Sequence, residues 1–213
     1  MQSLKNIRLY GAGRHSFIIQ QLLKNNNIQI TAVFDDNPKN HHRAFHEVLP
    51  GMNINILDFP FKGDPFIIGI GDNLQRSKIA KYLNGKFSIA VHNATTIDDT
   101  VIIEEGTVVY AGAVIQPNTI IGRHVIINTS ASVDHDNIIH DFVHISPNAA
   151  LCGLVEVGTG THIGAGAVVI PKVKIGKWCT IGAGSVIIKD VPDYAVVVGN
   201  PGRVIKIKET VEI

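Results

Sequence analysis

The sequence contains little cysteine, no long apolar run and no strong excess of charge, and each shortage excludes a class of protein. Its two cysteines, Cys152 and Cys179, cannot form a disulfide framework. We interpret Cys152 as a small buried side chain, with a nucleophile as the alternative. No stretch is apolar enough to span a bilayer, and residues 1–13 contain no signal-peptide core. The net charge of +1 gives no reason to expect a nucleic-acid partner.

From these shortages we expect a cytoplasmic protein that binds neither membranes nor nucleic acid. The apolar content of 45% and the charged content of 17% are typical of a soluble globular chain rather than a disordered one. A length of 213 residues fits one large domain or two modest ones. The sequence patterns favour two domains.

A period of six residues organises the chain from residue 91 to residue 187. Every sixth position is aliphatic and none is polar. These positions are Val91, Ile97, Ile103, Val109, Ile115, Ile121, Ile127, Val133, Ile139, Ile145, Leu151, Val157, Ile163, Val169, Ile175, Ile181 and Ile187. A helix repeats near 3.6 residues and a simple strand at 2. A period of six instead predicts a parallel β-helix, in which each hexad is one short strand and one corner.

Two further columns accompany the aliphatic one. Two residues before each aliphatic position the side chain is mostly small or β-branched, and glycine recurs one residue after it, at Gly122, Gly158, Gly164, Gly176 and Gly182. We interpret these glycines as corner residues with backbone conformations that other residues avoid. Three hexads make one 18-residue coil of a triangular prism, so residues 18 apart should stack about 4.8 Å from each other. No insertion interrupts the period, so we expect no long projecting loop.

The segment before the hexads has the pattern of a small α/β domain. It predicts strands at residues 6–10, 28–34 and 66–70 and helices at about 17–23 and 75–83. The first three of these elements in chain order make a βαβ unit with a glycine-rich first turn. The chain therefore divides into a Rossmann-like domain, residues 1–90, and a β-helix domain with a C-terminal tail, residues 91–213.

The first turn of this domain, residues 11–16 (GAGRHS), is a candidate for binding a phosphate-bearing ligand. An acidic pair, residues 35–36 (DD), follows the second strand, and residues 69–73 (GIGDN) follow the start of the third. The first turn opens a helix, whose free N–H groups and dipole favour an anion. It resembles a dinucleotide fingerprint, but Ser16 stands where the third glycine is needed, and the domain is too short for two mononucleotide halves.

Histidines stand out in the hexads, because the inward positions there are poor in ionisable side chains. Their densest cluster includes residues 133–137 (VDHDN). Acyl transfer to an amine or a hydroxyl needs a base, and histidine titrates near neutral pH. A neighbouring carboxylate can fix the tautomer of the ring, and His135 has both Asp134 and Asp136 beside it. The residues alone leave open which carboxylate is the partner, and a solvated turn is the structural alternative.

The length of a coil gives three expectations for the histidines. Gly153 lies 18 residues after His135 and should leave room above the base. His144 follows His135 by half a coil, so the two should lie on different sides of the prism, and a site that uses both needs two chains. His162 should stack above His144, but two imidazoles make a poor zinc site, so we expect no metal.

These motifs resemble those of the hexapeptide-repeat acetyltransferases, and among them the bacterial family of sialic acid O-acetyltransferases and UDP-4-amino-sugar N-acetyltransferases. The hexads correspond to the left-handed β-helix of that family. Gly11, Gly13 and His15 fit the first turn of its N-terminal domain, although Arg14 replaces the usual second glycine. The segment 128–130 (NTS) precedes the triplet 134–136 (DHD) at the spacing found in the family.

The resemblance implies a homotrimer with sites at subunit interfaces, which binds coenzyme A and uses acetyl-CoA as co-substrate. It implies His135 as general base and Asp136 as the acid that orients it. It places acetyl-CoA contacts at His144, Gly153 and Ala165. The implied contacts of the nucleotide sugar are Gly11, Gly13, His15, Asp35, Asp36, Gly69, Gly71, Asn73 and Asn128.

The activity that the resemblance implies is N-acetylation of a nucleotide-linked amino sugar, of the UDP-4-amino-4,6-dideoxy type, in bacterial glycan biosynthesis. O-acetylation of a sialic acid or another sugar is the alternative within the class, because both acceptors need a base. Outside the enzymes, a non-catalytic sugar-nucleotide-binding scaffold and a small NAD-binding module are alternatives. Asn128, His135, Asp136 and His144 argue against the scaffold, and Ser16 argues against the NAD module.

Overall fold

The protein consists of an α/β domain followed by a parallel β-helix, as the two sequence patterns predict. The computed structural model describes residues 6–37, 39–40, 48–51 and 63–210. The first elements are β1 (Asn6–Tyr10), α1 (Arg14–Asn25), β2 (Gln29–Phe34), β3 (Val48–Leu49), β4 (Phe66–Ile68) and α2 (Asn73–Leu83). Strand β3 is not among the predicted elements, since two residues are too few to show a period.

Parallel strands in the order β3-β2-β1-β4 form the described part of the N-terminal sheet. Its two glycine-rich turns touch, because Gly11 has a φ of 108° and a Cβ there would lie 3.1 Å from the carbonyl oxygen of Gly69. A Cβ on Gly69 would lie 2.8 Å from the Cβ of Ser16, which is fully buried. Ser16, which stands at the third glycine position of the first turn, therefore packs against Gly69 of the other turn.

Seventeen two-residue strands, β5 to β21, form the β-helix within residues 90–187, all of which the structure describes. Their bounds are β5 (Ala90–Val91), β6 (Thr96–Ile97), β7 (Ile102–Ile103), β8 (Val108–Val109), β9 (Val114–Ile115), β10 (Ile120–Ile121), β11 (Ile126–Ile127), β12 (Ser132–Val133), β13 (Ile138–Ile139), β14 (His144–Ile145), β15 (Ala150–Leu151), β16 (Glu156–Val157), β17 (His162–Ile163), β18 (Val168–Val169), β19 (Lys174–Ile175), β20 (Thr180–Ile181) and β21 (Val186–Ile187). Each pairs in parallel with the strand 18 residues away, as Ile126 pairs with His144. The predicted coil length is thereby confirmed.

The strands form three faces of a prism. Face A contains β5, β8, β11, β14, β17 and β20; face B contains β6, β9, β12, β15, β18 and β21; face C contains β7, β10, β13, β16 and β19. We name each corner by the faces that it joins, in chain order: A–B, B–C and C–A. From residue 109 onward the aliphatic column is buried inside the prism and forms one continuous core.

The two ends of the prism differ. At the C-terminal end, β22 (Ala195–Val198) pairs with β20 and forms an antiparallel hairpin with β23 (Arg203–Ile207), where the sequence predicts only a turn. At the N-terminal end, β6 and β7 are the edge strands of faces B and C. The acidic residues beside these edges are Asp98, Asp99, Glu104 and Glu105.

The glycines after the aliphatic column have a different cause from the one expected. Among the described residues, positive φ angles occur at other glycines, and those five are not among them. A Cβ on Gly158 would lie 2.6 Å from the carbonyl carbon of Gly176, so glycine is needed here because neighbouring coils approach closely. Most left-handed corner positions hold other residues, namely Asn118, His124, Ser130, Asp136, Phe142, Asn148, Leu154, Lys172 and Trp178.

The α/β domain packs on the first coils of face A. Ile19 and Leu23 of α1 share one buried apolar cluster with Val108, Tyr110 and Ile126 of the prism. Burying these side chains fixes the domain against the face that carries His144 further along. Neither described helix is long and apolar enough to cross a membrane.

Candidate active site

His135 lies at the B–C corner with a carboxylate as its partner. Its Nδ1 is 2.7 Å from Oδ2 of Asp136, a corner residue with a φ of 57°. Asp134 accepts the backbone N–H of His135 at 2.8 Å. The structure thus selects Asp136 as the partner of the ring. An ionised carboxylate can only accept, so Nδ1 carries the proton and Nε2 is the basic atom of the ring.

The surroundings of His135 favour a base that reacts with an external group. The side chain is 52% exposed, and the hydrogen bond to Asp136 raises the pKa of His135 above its ordinary value. A Cβ on Gly153 would lie 2.6 Å from both Cε1 and Nε2 of the ring. Any side chain at position 153 would therefore collide with the ring. Gly153 stacks above His135, as the coil length predicts, and the glycine makes space for the ring itself.

His144 projects from face A and has a different set of neighbours. Its Nε2 is 3.0 Å from Nδ2 of Asn128, and the ring also hydrogen-bonds the backbone of Gly71. Since the amide of Asn128 donates, Nε2 accepts, and the ring N–H is directed to the carbonyl of Gly71. Burial, reinforced by the charges of His162 and Arg76, lowers the pKa of His144 to about 3.

Three imidazoles, His15, His144 and His162, form what we call the histidine cluster. The rings of His144 and His162 stack with centroids 4.9 Å apart, and His15 lies 6.1 Å from His144. Nε2 of His15 contacts the hydroxyl of Tyr110 at 3.1 Å, and burial lowers the pKa of His15 to about 4. The cluster is therefore neutral near pH 7 and can act through hydrogen bonds. Within the described residues, no group of three or more His, Cys, Asp or Glu could hold a metal ion.

Arg76 of α2 is a central residue that the sequence patterns do not indicate. Its side chain is buried, with 1% of the residue exposed, and the burial lowers its pKa to about 9. The guanidinium donates to the carbonyl oxygens of His124 (2.8 Å), Ile70 (3.0 Å), Gly71 (3.2 Å) and Phe142 (2.9 Å) and to Oδ1 of Asn73 (2.8 Å). It thus fastens the turn at residues 69–73 to two C–A corners of the β-helix.

Two predicted contacts of the nucleotide sugar are used inside the protein. The amide of Asn73 is buried and donates to the carbonyls of Gly160 and Thr161 at 3.0 and 3.2 Å. The carboxylate of Asp35 accepts the backbone N–H groups of Ala12 (2.6 Å) and Asn37 (2.7 Å). These side chains hold the turns in place, a function that their sequence positions do not reveal.

The remaining candidate contacts lie along the turns. Gly13 precedes α1 as its N-cap, and no described side chain caps the first turn of that helix. Oδ2 of Asp36 accepts the hydroxyl of Tyr10 at 2.5 Å. Gly71 lies beside His15, since a Cβ there would lie 3.7 Å from Cγ of that ring. Gly71 therefore borders the histidine cluster, to which His15 belongs.

The candidate residues of the β-helix fall into two groups on one chain. His135, Asp136 and Gly153 share the B–C corner. Asn128 and Ala165 lie at the A–B corner, and His144 projects from face A next to them. The half-coil spacing predicts this separation of His135 from His144.

A prism of uninterrupted hexads with a histidine–aspartate pair exposed at a corner defines a hexapeptide-repeat transferase. Two family models agree with this class: "PglD N-terminal domain" matches residues 6–83, and "Bacterial transferase hexapeptide (six repeats)" matches residues 154–189. The chain belongs to the bacterial hexapeptide-repeat sugar acetyltransferases with a PglD-type N-terminal domain, the family that its motifs resemble.

Three solved structures illustrate the similarity. A variant of perosamine N-acetyltransferase from Caulobacter crescentus, in complex with CoA and GDP-perosamine, is 31% identical with a TM-score of 0.87, over 93% of this chain and 96% of that one. The acetyltransferase domain of PglB from Neisseria gonorrhoeae is 30% identical with a TM-score of 0.84, over 94% and 100%. WeeI from Acinetobacter baumannii is 26% identical with a TM-score of 0.84, over 93% and 99%.

Proposed function

We propose that this protein transfers acetyl from acetyl-CoA to the amino group of a sugar linked to a nucleoside diphosphate. The observation that carries the proposal is the exposed His135–Asp136 pair, over which Gly153 lies. It combines a base that an external group can reach with a carboxylate that orients the ring. A relative with CoA and GDP-perosamine bound, and another with acetyl coenzyme A bound, support the two substrates.

The chemistry needs one base and no covalent intermediate on the protein. The amine nitrogen attacks the thioester carbonyl, and Nε2 of His135 takes the proton that the nitrogen loses. The carbonyl oxygen becomes an oxyanion, which backbone N–H groups can stabilise. When it collapses, the C–S bond breaks and the thiolate of CoA leaves and takes up a proton. Asp136 holds the imidazolium in place and stabilises its charge throughout.

The nucleotide sugar is proposed to bind at the two touching glycine-rich turns. The first turn of α1, which no described side chain caps, offers backbone N–H groups and a helix dipole to the diphosphate. Arg14, the first residue of α1, is exposed there and can add a charged contact. The histidine cluster lies next to these turns and borders the proposed sugar site with neutral imidazole rings.

The site is proposed to form between two subunits of a homotrimer. On one chain the base is at the B–C corner, whereas the turns and the histidine cluster are on face A. If the B–C corner of one subunit faces face A of the next, the base of one chain meets the sugar nucleotide of the other. A closed ring of three subunits repeats this contact three times.

Mixing two inactive variants tests the shared site. Chains with His135→Ala and chains with His144→Ala are coexpressed, and the activity of the purified trimers is compared with each variant alone. In a random mixture about three quarters of the trimers contain both variants and each of these has one intact site of three, so we expect about a quarter of wild-type activity. Mixed trimers verified by native mass spectrometry that recover no activity would place both histidines in a site of one chain.

Thiol release from acetyl-CoA tests the activity itself. The acceptors are a UDP-4-amino-4,6-dideoxy sugar, GDP-perosamine, a UDP-sugar with hydroxyl groups only and a sialic acid. We expect release with amino-sugar nucleotides only. Release with the hydroxyl acceptors would move the protein to O-acetylation, and a failure to bind coenzyme A would reject the acetyltransferase proposal.

A further inference from the structure

A chain of hydrogen bonds runs down the B–C corner from the base. While Oδ2 of Asp136 contacts His135, its Oδ1 accepts from Nδ2 of Asn118 at 3.2 Å. Asn118 lies 18 residues earlier, directly below Asp136 on the preceding coil. Its backbone N–H donates to Oγ1 of Thr100 at 2.8 Å, and that hydroxyl donates to Asp98 at 2.6 Å. The two preceding coils thus support the carboxylate of Asp136.

Support of this kind matters because Asp136 is a surface residue. Its side chain is 41% exposed, so little packing restricts its rotation. A carboxylate with one oxygen on His135 and the other on Asn118 has a single orientation. These two hydrogen bonds also lower the pKa of Asp136, and the bond to His135 has the larger effect. The carboxylate therefore stays ionised and can only accept.

We propose that Asn118 is a positioning residue of the acetyl transfer, which acts through Asp136 to fix the tautomer and the orientation of His135. The role of Asn118 in the reaction rests on the proposed function, whereas its contact with Asp136 does not. The amide of Asn118 bonds the carboxylate of Asp136 and reaches the base only through it. The charged groups that face His135 are Asp134 and Asp136, and Asp134 is held by the backbone N–H of His135, so loss of Asn118 acts on Asp136 alone.

The test removes the amide without straining the corner. Asn118 has a φ of 60°, so Asn118→Gly keeps a residue that adopts this conformation readily. We expect kcat to fall about tenfold, with KM for acetyl-CoA unchanged. A loss of this size is typical when a residue that orients a functional side chain is removed. Asn148 is the matched control, because it occupies a left-handed A–B corner with a φ of 57°. Asn148→Gly should leave kcat near the wild-type value.

A double variant separates positioning from a general effect on the fold. In an Asp136→Asn background, Asn118→Gly should lower kcat no further, because the residue through which it acts is already changed. An equal fall in both backgrounds, or an equal fall in Asn148→Gly, would overturn the proposal.

An NMR titration gives a readout that does not depend on turnover. The signal of His135, identified by its absence in His135→Ala, is titrated in the wild type and in Asn118→Gly. Since Asp136 raises the pKa of His135, a carboxylate released by loss of Asn118 should let that pKa fall toward its ordinary value. An unchanged or higher pKa would contradict the positioning role. If the wild type showed no turnover, but the pKa of His135 still fell in Asn118→Gly, the proposed function would be rejected and the contact of Asn118 with Asp136 would stand.

Discussion

Replacement of His135 by alanine is expected to lower kcat by about 10² to 10⁴-fold, the usual contribution of a general base. KM for acetyl-CoA should change little, because in the proposed mechanism the ring acts on the acceptor's proton rather than holding the cofactor. Initial rates of thiol release at saturating acetyl-CoA measure the effect. A variant with kcat within a few fold of the wild type would remove His135 from the mechanism.

His140 provides the matched control for this variant. It is also an exposed histidine bonded to a carboxylate, with Nε2 3.1 Å from Oε1 of Glu156, but it lies after β13 at the C–A corner. His140→Ala should retain wild-type kcat. A comparable loss in both variants would point to a general effect of losing a surface ion pair.

The pH dependence of the wild type follows from the same pair. The base must be neutral to accept a proton, and Asp136 raises the pKa of His135. Activity should therefore be lost as the pH falls through a midpoint above the ordinary value of histidine. The histidine cluster has lowered pKa values and stays neutral across this range, so it should not contribute to that midpoint.

Replacement of Arg76 by methionine is expected to destabilise the protein by roughly 3 kcal/mol, since it leaves several buried carbonyl groups without a donor. For a chain of this size the melting temperature should fall by about 6–12 °C. The loss of a positive charge should also raise the pKa of His144, which an NMR titration can follow. Thermal denaturation with and without coenzyme A measures the first effect.

Arg123 is the control for Arg76. It is also an arginine near the C–A corner, but its side chain is 56% exposed and its partner is Asp141, at 2.8 Å. Arg123→Met should cost at most about 1 kcal/mol, as surface ion pairs do. If Arg76→Met were as stable as Arg123→Met, the buried guanidinium would not be what fastens the turn to the prism.

The β-helix could be predicted almost residue by residue because its interior is periodic. A residue such as Ile139 can be assigned to the core without knowledge of its partners, since the same environment recurs in every coil. The stacking of Gly153 above His135 follows from the same regularity. The corner glycines show its limit: Gly158 could be located from the sequence, but not the contact with the next coil that requires it.

The anchoring of the α/β domain could not be predicted, for a physical reason. The partners of Arg76 are mainly backbone carbonyls, including those of His124 and Phe142, and a carbonyl group has no residue-specific sequence signal. In the polar sequence of α2, Arg76 has the pattern of a solvated cation. The choice between Asp134 and Asp136 was equally hidden, because it depends on the left-handed conformation of one corner residue.

The unequal ends of the prism bear on how copies can associate. A stack of identical coils has no intrinsic length, and the exposed edges of β6 and β7 could pair with the last coil of another molecule and start a fibre. The acidic residues beside those edges and the hairpin at the far end make the two surfaces poor partners. Polymerisation along the prism axis is thereby opposed. Sideways assembly, the direction that the proposed shared active site requires, is left open.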